Sequence, residues 1–196
     1  MESVDATRKR EEMQILSEFA FCDEQNVSFT LIRHNMVASV RGDLRMGQTV
    51  RIHRVQKELS SQWYDVKVVK IYRTVELAIL KCEIDICTHC SRVPALSGAK
   101  SGACYYQMGF SPEPRTPTFH EGVITSTISS MHDTYMFGSI TSASDDQLGG
   151  GVFNTSDFTL FGICVRFEQD TTTEPEFAHP HFLYKSYIVA AEFFYI

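Results

Sequence analysis

Gln147-Leu148-Gly149-Gly150-Gly151-Val152-Phe153 is the stretch on which the reading of this chain turns. Three successive glycines let a backbone bend sharply and approach other groups closely. The residues after them are built for strands. Val152-Phe153-Asn154 leads into a polar turn at Thr155-Ser156-Asp157, and then Thr159-Leu160-Phe161-Gly162-Ile163-Cys164-Val165 returns as a second apolar segment. A tight turn, a short strand, a polar turn and another strand make one corner of a β-structure.

The same texture extends outward in both directions. Upstream, Val27 to Ile32, Thr49 to Val55, Trp63 to Ile71 and Leu77 to Cys82 are short, β-branched or alternating segments separated by turns. After the polar connector Ser97 to Gly102 the pattern resumes at Ala103 to Phe110, Gly122 to Ser126 and Met136 to Ser142. Many short strands at near-regular spacing predict an all-β architecture. The connector divides it into two halves, 26–96 and 103–196, which together form one domain over 26–196. Residues 1–25 form an N-terminal helical extension, with Met13, Leu16, Phe19 and Ala20 at helical spacing over Asp5 to about Phe21. Ser111 to Pro117 holds three prolines and is expected as a loop, since proline cannot donate to a ladder. The apolar C-terminal segment ending at Ile196 is expected to close the body as a packed helix.

An apolar content of 43% suffices for a real core, and 21% charged residues is ordinary for a globular protein, so disorder is not the reading. A net charge of −6 argues against a general electrostatic grip on nucleic acid or an anionic membrane. No apolar run reaches membrane-spanning length, and no basic start precedes an apolar core, so the expected address is cytoplasmic or nuclear, not secreted. The six cysteines are then expected as reduced thiols.

Four segments, in order, resemble the trypsin-like (chymotrypsin and HtrA-type) serine proteases over roughly Val27 to Ile196. Asn35-Met36-Val37-Ala38-Ser39-Val40 resembles the turn that ends in the catalytic His, with Ser39 in the His position. Val75-Glu76-Leu77-Ala78-Ile79-Leu80-Lys81 resembles the segment carrying the triad Asp, with Glu76 in its place. Tyr106 to Ser111 and Gly122 to Ser126 are similar to the opening strands of the second barrel. The stretch around Leu148 is similar to the nucleophile turn, with Leu148 where the Ser belongs and Asp146 where an oxyanion-hole Gly belongs. The resemblance implies two packed antiparallel β-barrels of the trypsin-like type, with a degenerate active site.

The triad needs a hydroxyl nucleophile, an imidazole base and an orienting carboxylate. Leu148 has no lone pair, Ser39 is no base at neutral pH, and Asp146 brings negative charge to where an oxyanion must develop. No catalytic residue is therefore assigned. The expected function is that of an inactive pseudoprotease working as an intracellular protein-binding or scaffold subunit. Its partner is expected in the inter-barrel cleft beside Gly149, Gly150 and Gly151, or on the N-terminal helix. The alternative is a serine-type endopeptidase with a rearranged site, using His34 as base or Ser142 or Ser144 as nucleophile; His34 reads more simply as a loop residue, Ser142 as a strand end and Ser144 as part of the loop after it.

Cys87-Thr88-His89-Cys90, with Cys82 upstream, is the metal candidate, but it lacks a second half-site at structural-zinc spacing, so ordinary thiols and no metal or cofactor are expected. His179-Pro180-His181 reads as a rigid turn. Trp63, the only Trp, reads as a core or barrel-face residue, and Phe193-Phe194-Tyr195-Ile196 as a core plug or an exposed anchor.

Overall fold

Alternation decides which side of each strand is buried. Along Trp63–Tyr72, Tyr64, Val66 and Val68 point inward while Trp63, Asp65, Lys67 and Val69 face out. A sheet with one apolar face must cover it, and here it does so by closing on itself. The computed structural model describes residues 4–56, 62–86, 93–113, 115–127, 135–169 and 184–194. The first barrel is formed by β1 (Ala20–Asp23), β2 (Ser28–Arg33), β3 (Met36–Val40), β4 (Thr49–Arg54), β5 (Trp63–Tyr72) and β6 (Leu77–Cys82), closed in the order β1-β2-β3-β6-β5-β4. The second is formed by β7 (Cys104–Pro112), β8 (Arg115–Ser126), β9 (Tyr135–Ile140), β10 (Gly151–Asn154), β11 (Leu160–Gln169) and β12 (Tyr184–Ala190), in the order β10-β11-β12-β9-β8-β7. All the pairings between these twelve strands are antiparallel.

One apolar core runs through the first barrel and across the interface to Met108, Phe110, Phe153 and Phe194, so the barrels are fused by packing and not merely tethered. A smaller core around Tyr105, Ile124, Ile140 and Ile188 fills the second barrel. Gly122 and Gly138 leave room there for the Tyr105 ring, whose hydroxyl meets Ser186 Oγ at 2.7 Å.

Three sequence expectations shift. The helix α1 covers Val4–Ser17, and Phe19 and Ala20 lie outside it. Ala20–Asp23 instead pairs with both β2 and β4. Barrel closure overrides the helical spacing there, and the barrel takes in residues ahead of 26. Ser111 to Pro117 is not a loop, because β7 and β8 pair out to Pro112–Arg115. Pro117 is tolerated opposite Phe110 because the Phe110 N–H points away from β8, to Asp146 Oδ2 at 3.1 Å, so that pair needs no proline donor. The C-terminal segment supplies a strand, β12, and a 3₁₀ turn at Ala191–Phe194, since the second barrel needs a sixth strand between β9 and β11. Phe194 is fully buried, as a core plug should be.

Candidate functional site

The Leu148 turn lies where the two barrels meet, held by hydroxyls from the first barrel. Ser28 Oγ donates to Asp146 O at 2.5 Å, Thr30 Oγ1 donates to Gly149 O at 3.0 Å, and Ser39 Oγ donates to Ser28 O at 2.6 Å. The Ser39 segment lies against this turn, with Ser39 Oγ beside Gly149. Ser39 itself, however, is fully buried and spends its hydroxyl on structure, so it is no cleft residue; its neighbour Val40 reaches the cleft.

The glycines are also explained by packing, which corrects their expected role. A side chain on Gly149 would run into Ser28 O and Ser39 Oγ, and Gly149 has φ +85°. One on Gly150 would run into Met108 O, and one on Gly151 into the Phe153 ring and Thr30. All three glycines are buried against the protein's own atoms, so they do not form a ligand-facing surface. Glycine is demanded here by barrel-to-barrel contact.

The open cleft lies on the other side of the turn. Val27, Val40, Phe110, Pro112 and Leu148 wall a space of about 370 Å³, rimmed by Gln25, Asn26, Asp145 and Asp146. No serine, cysteine, histidine or lysine lines it among the described residues. Glu76 is exposed in the left-handed region at φ 54°, and among the described residues its carboxylate has no hydrogen-bond or ion-pair partner; its carbonyl takes the Arg41 N–H at 2.5 Å. Three N–H groups of the turn are consumed within the protein. Leu148 N donates to Asp145 O at 3.1 Å, Gly149 N to Cys164 O at 2.8 Å and Gly150 N to Gln147 O at 3.0 Å. A donor already satisfied inside its own turn is not presented to an oxyanion. Nor can a buried thiol substitute as nucleophile, since burial pushes Cys22 up to about 11 and Cys164 up to about 12.

Behind the turn is a polar cluster in which Ser142, a candidate nucleophile in the sequence, meets residues that sequence reasoning missed, His120, Gln107 and Gln147. Ser142 Oγ meets His120 Nδ1 at 2.8 Å. Burial holds the His120 imidazole below its ordinary value, with the Asp146 charge pulling the other way. Next to it, Gln107 and Gln147 are fully buried. Gln107 Nε2 donates to Gln147 O at 3.2 Å, but Gln107 Oε1, Thr118 Oγ1 and both polar atoms of the Gln147 side chain have no partner among the described residues. The available signal was alternation: Gln107 and His120 face each other across β7 and β8, which puts both side chains on one face of the sheet. His34, by contrast, sits exposed in the β2–β3 turn, at the far end of β3 from Val40.

The metal candidates Cys87, His89 and Cys90 lie outside the described residues, as does His179-Pro180-His181. Cys82 is a buried core residue. Trp63 sits on the barrel face, 37% exposed, with its ring centroid 4.3 Å from that of His53.

No family model and no curated protein matches the chain. Solved structures do match. The MamO protease domain from Magnetospirillum magneticum superposes with a TM-score of 0.65 at 14% identity, over 93% of this chain and 96% of that one. A serine-to-alanine mutant of Rv3671c from M. tuberculosis H37Rv, in an inactive form, gives 0.63 at 12% identity, over 98% and 90%. The Rv3671c protease, also in an inactive form, gives 0.62 at 13%, over 95% and 90%. Two closed antiparallel barrels meeting at a glycine turn, matched over nearly the whole chain by these protease domains, give this protein the two-barrel fold of the trypsin-like proteases.

Proposed function

We propose that this protein is a non-catalytic member of the trypsin-like fold, a pseudoprotease that binds a protein partner inside the cell. The carrying observation is the cleft beside Leu148, which is open and largely apolar and has no serine, cysteine, histidine or lysine in its lining among the described residues. A groove between two sheets can accept an extended segment by main-chain hydrogen bonding without cutting it. The buried polar atoms left unpaired behind the turn support a binding role, because native proteins rarely leave such groups unmatched away from sites that bind water or ligand. The buried single thiols Cys22, Cys82 and Cys164 suit a reducing compartment.

The test is capture of peptides from a displayed library, repeated with Leu148→Glu at the cleft and Ile15→Asp on the exposed face of α1. Ile15 is 38% exposed, whereas Leu16 is fully buried and its substitution would report on folding. Loss of capture in Leu148→Glu alone, with an unchanged melting profile, supports the cleft. Loss in Ile15→Asp alone moves the site to the helix.

One observation favours a second reading, a serine-type hydrolase with a rearranged site: the Ser142–His120 pair at 2.8 Å. Against it, among the described residues no carboxylate hydrogen-bonds the other nitrogen of His120, so the third member of a triad is missing. A fluorophosphonate probe separates the two. The expected result is no labelling; labelling of Ser142 that disappears in His120→Gln would establish the second reading.

A further inference from the structure

His53 on β4 is 1% exposed, and its two ring nitrogens have different duties. Nδ1 lies 2.8 Å from Arg54 O, a contact that requires an N–H, so Nε2 of the neutral ring is an acceptor. Arg115 Nη1 donates to that Nε2 at 2.8 Å. His53 belongs to the first barrel and Arg115 to the second, so this bond crosses between them.

Arg115 sits where β7 and β8 turn back on each other, paired with Pro112. The same hairpin places Phe110 and Pro112 in the cleft wall opposite Val40. Among the described residues, the Arg115 guanidinium makes its hydrogen bonds to His53 alone. We propose that the β7–β8 hairpin is a movable wall of the cleft, latched to the first barrel by the Arg115–His53 bond, and that protonation of His53 unlatches it.

The reasoning is local chemistry. An imidazolium carries an N–H on both nitrogens and has no acceptor left, so Arg115 would face a donor and a second positive charge at hydrogen-bond distance. The neighbouring groups offset this only in part: the Asp23 charge favours the imidazolium, while burial and Arg115 oppose it. From β1, Cys22 Sγ lies 3.5 Å from Nε2, and Asp23 lies near but already accepts the N–H groups of Gln25 and Val27 through Oδ1. On β4 itself, Arg54 extends its guanidinium to Glu18 O and Ile86 O, and Arg51 stacks over Trp63. From β5 comes the neutral Trp63 ring. Burial, with Arg115 adding to it, holds His53 below its ordinary value, which puts the release on the acid side of neutrality.

The functional meaning of the latch rests on the cleft being the binding site, but its release can be measured without a partner. Hydrogen exchange of the 104–126 amides, corrected for intrinsic rates, is compared at pH ~7.5 and pH ~5. Fluorescence of Trp63, the only Trp, reports protonation of His53 in the same samples. The expected result is that hairpin exchange in the wild type accelerates about fivefold or more at the lower pH. His53→Gln, which keeps an acceptor but cannot take up a proton, should stay slow at both pH values. Arg115→Leu should be fast at both. The latch is overturned if hairpin exchange stays constant while Trp63 titrates, if His53→Gln accelerates like the wild type, or if Trp63 shows no titration down to pH ~5. A latch that behaves as expected while no peptide is captured at either pH would remove the cleft reading and leave the latch standing.

Discussion

Gln147→Met should make this protein more stable. Gln147 is fully buried at the end of the 3₁₀ turn Asp145–Gln147, and neither its Oε1 nor its Nε2 has a partner among the described residues. An unsatisfied buried polar group costs on the order of 1–3 kcal/mol, while exchange for an apolar group of the same shape removes that cost. Methionine has nearly the volume of glutamine and adapts to irregular gaps. The backbone O of Gln147, which takes Gln107 Nε2 and Gly150 N, is untouched by the change. The expected gain is therefore about 2 kcal/mol. In urea, with a slope of roughly 2 kcal/mol per M, the midpoint should move up by about 1 M with the slope unchanged. Gln107→Met is the internal comparison: it removes one orphan acceptor but also breaks a hydrogen bond, so its net effect should lie within about 1 kcal/mol of zero. A Gln147→Met protein no more stable than wild type, or less so, would refute the argument, because it would mean that ordered water already satisfies the amide.

Gly150→Ala should unfold the joint between the barrels, with a loss of about 3 kcal/mol or more in urea titration, because its Cβ would overlap Met108 O; Gly42→Ala, with open space around it at φ +46°, should cost only about 1–2 kcal/mol. Leu148→Ser should leave peptide and ester substrates uncut, with no rate gain beyond about tenfold, since no imidazole lines the cleft among the described residues and the Leu148 N–H is bonded to Asp145 O. Melting temperature should fall as pH drops below about 6.5. His53 and His120 both titrate lower in the native state than in the unfolded chain, so the unfolded state takes up protons first and stability is lost until the native pKa values are passed. The double variant His53→Gln/His120→Gln should flatten that slope, and an unchanged slope would show that other groups control it.

What could be read from the sequence depends on how far each signal reaches along the chain. The alternation in Trp63–Tyr72 is a local pattern with one sensible outcome, so the strands were legible, and the two-barrel plan followed from the family resemblance around the glycine turn. Barrel closure is not local. Ala20 and Phe21 looked helical because Phe19 and Ala20 continued the spacing of the N-terminal helix, yet Ala20–Asp23 pairs with β2 and β4, and only the closed sheet creates that demand. The prolines around Ser111 misled for a related reason: whether a proline breaks a ladder depends on which way its partner's N–H points, and Phe110 N–H points to Asp146, a residue much later in the chain. The site was half legible. Leu148 does lie on the cleft, but the choice between Ser39 and Val40 as the residue facing it is a one-residue step on a strand, and one step reverses the face.

The glycine turn shows why the two-barrel fold can be recognised in a chain that carries Leu148 where the family's serine belongs. A nucleophile at position 148 has one employer, the reaction, and here Leu148 lines the cleft instead. Gly149 and Gly150 have a different employer. Their missing side chains are required by Ser28 O and Met108 O, and their N–H groups tie the turn to Cys164 and Gln147. Ser28, Thr30 and Ser39 complete the same joint from the other barrel. The residues that mark the fold in this sequence are thus the ones that hold two barrels together, and they stay legible whether or not any bond is ever cut beside them.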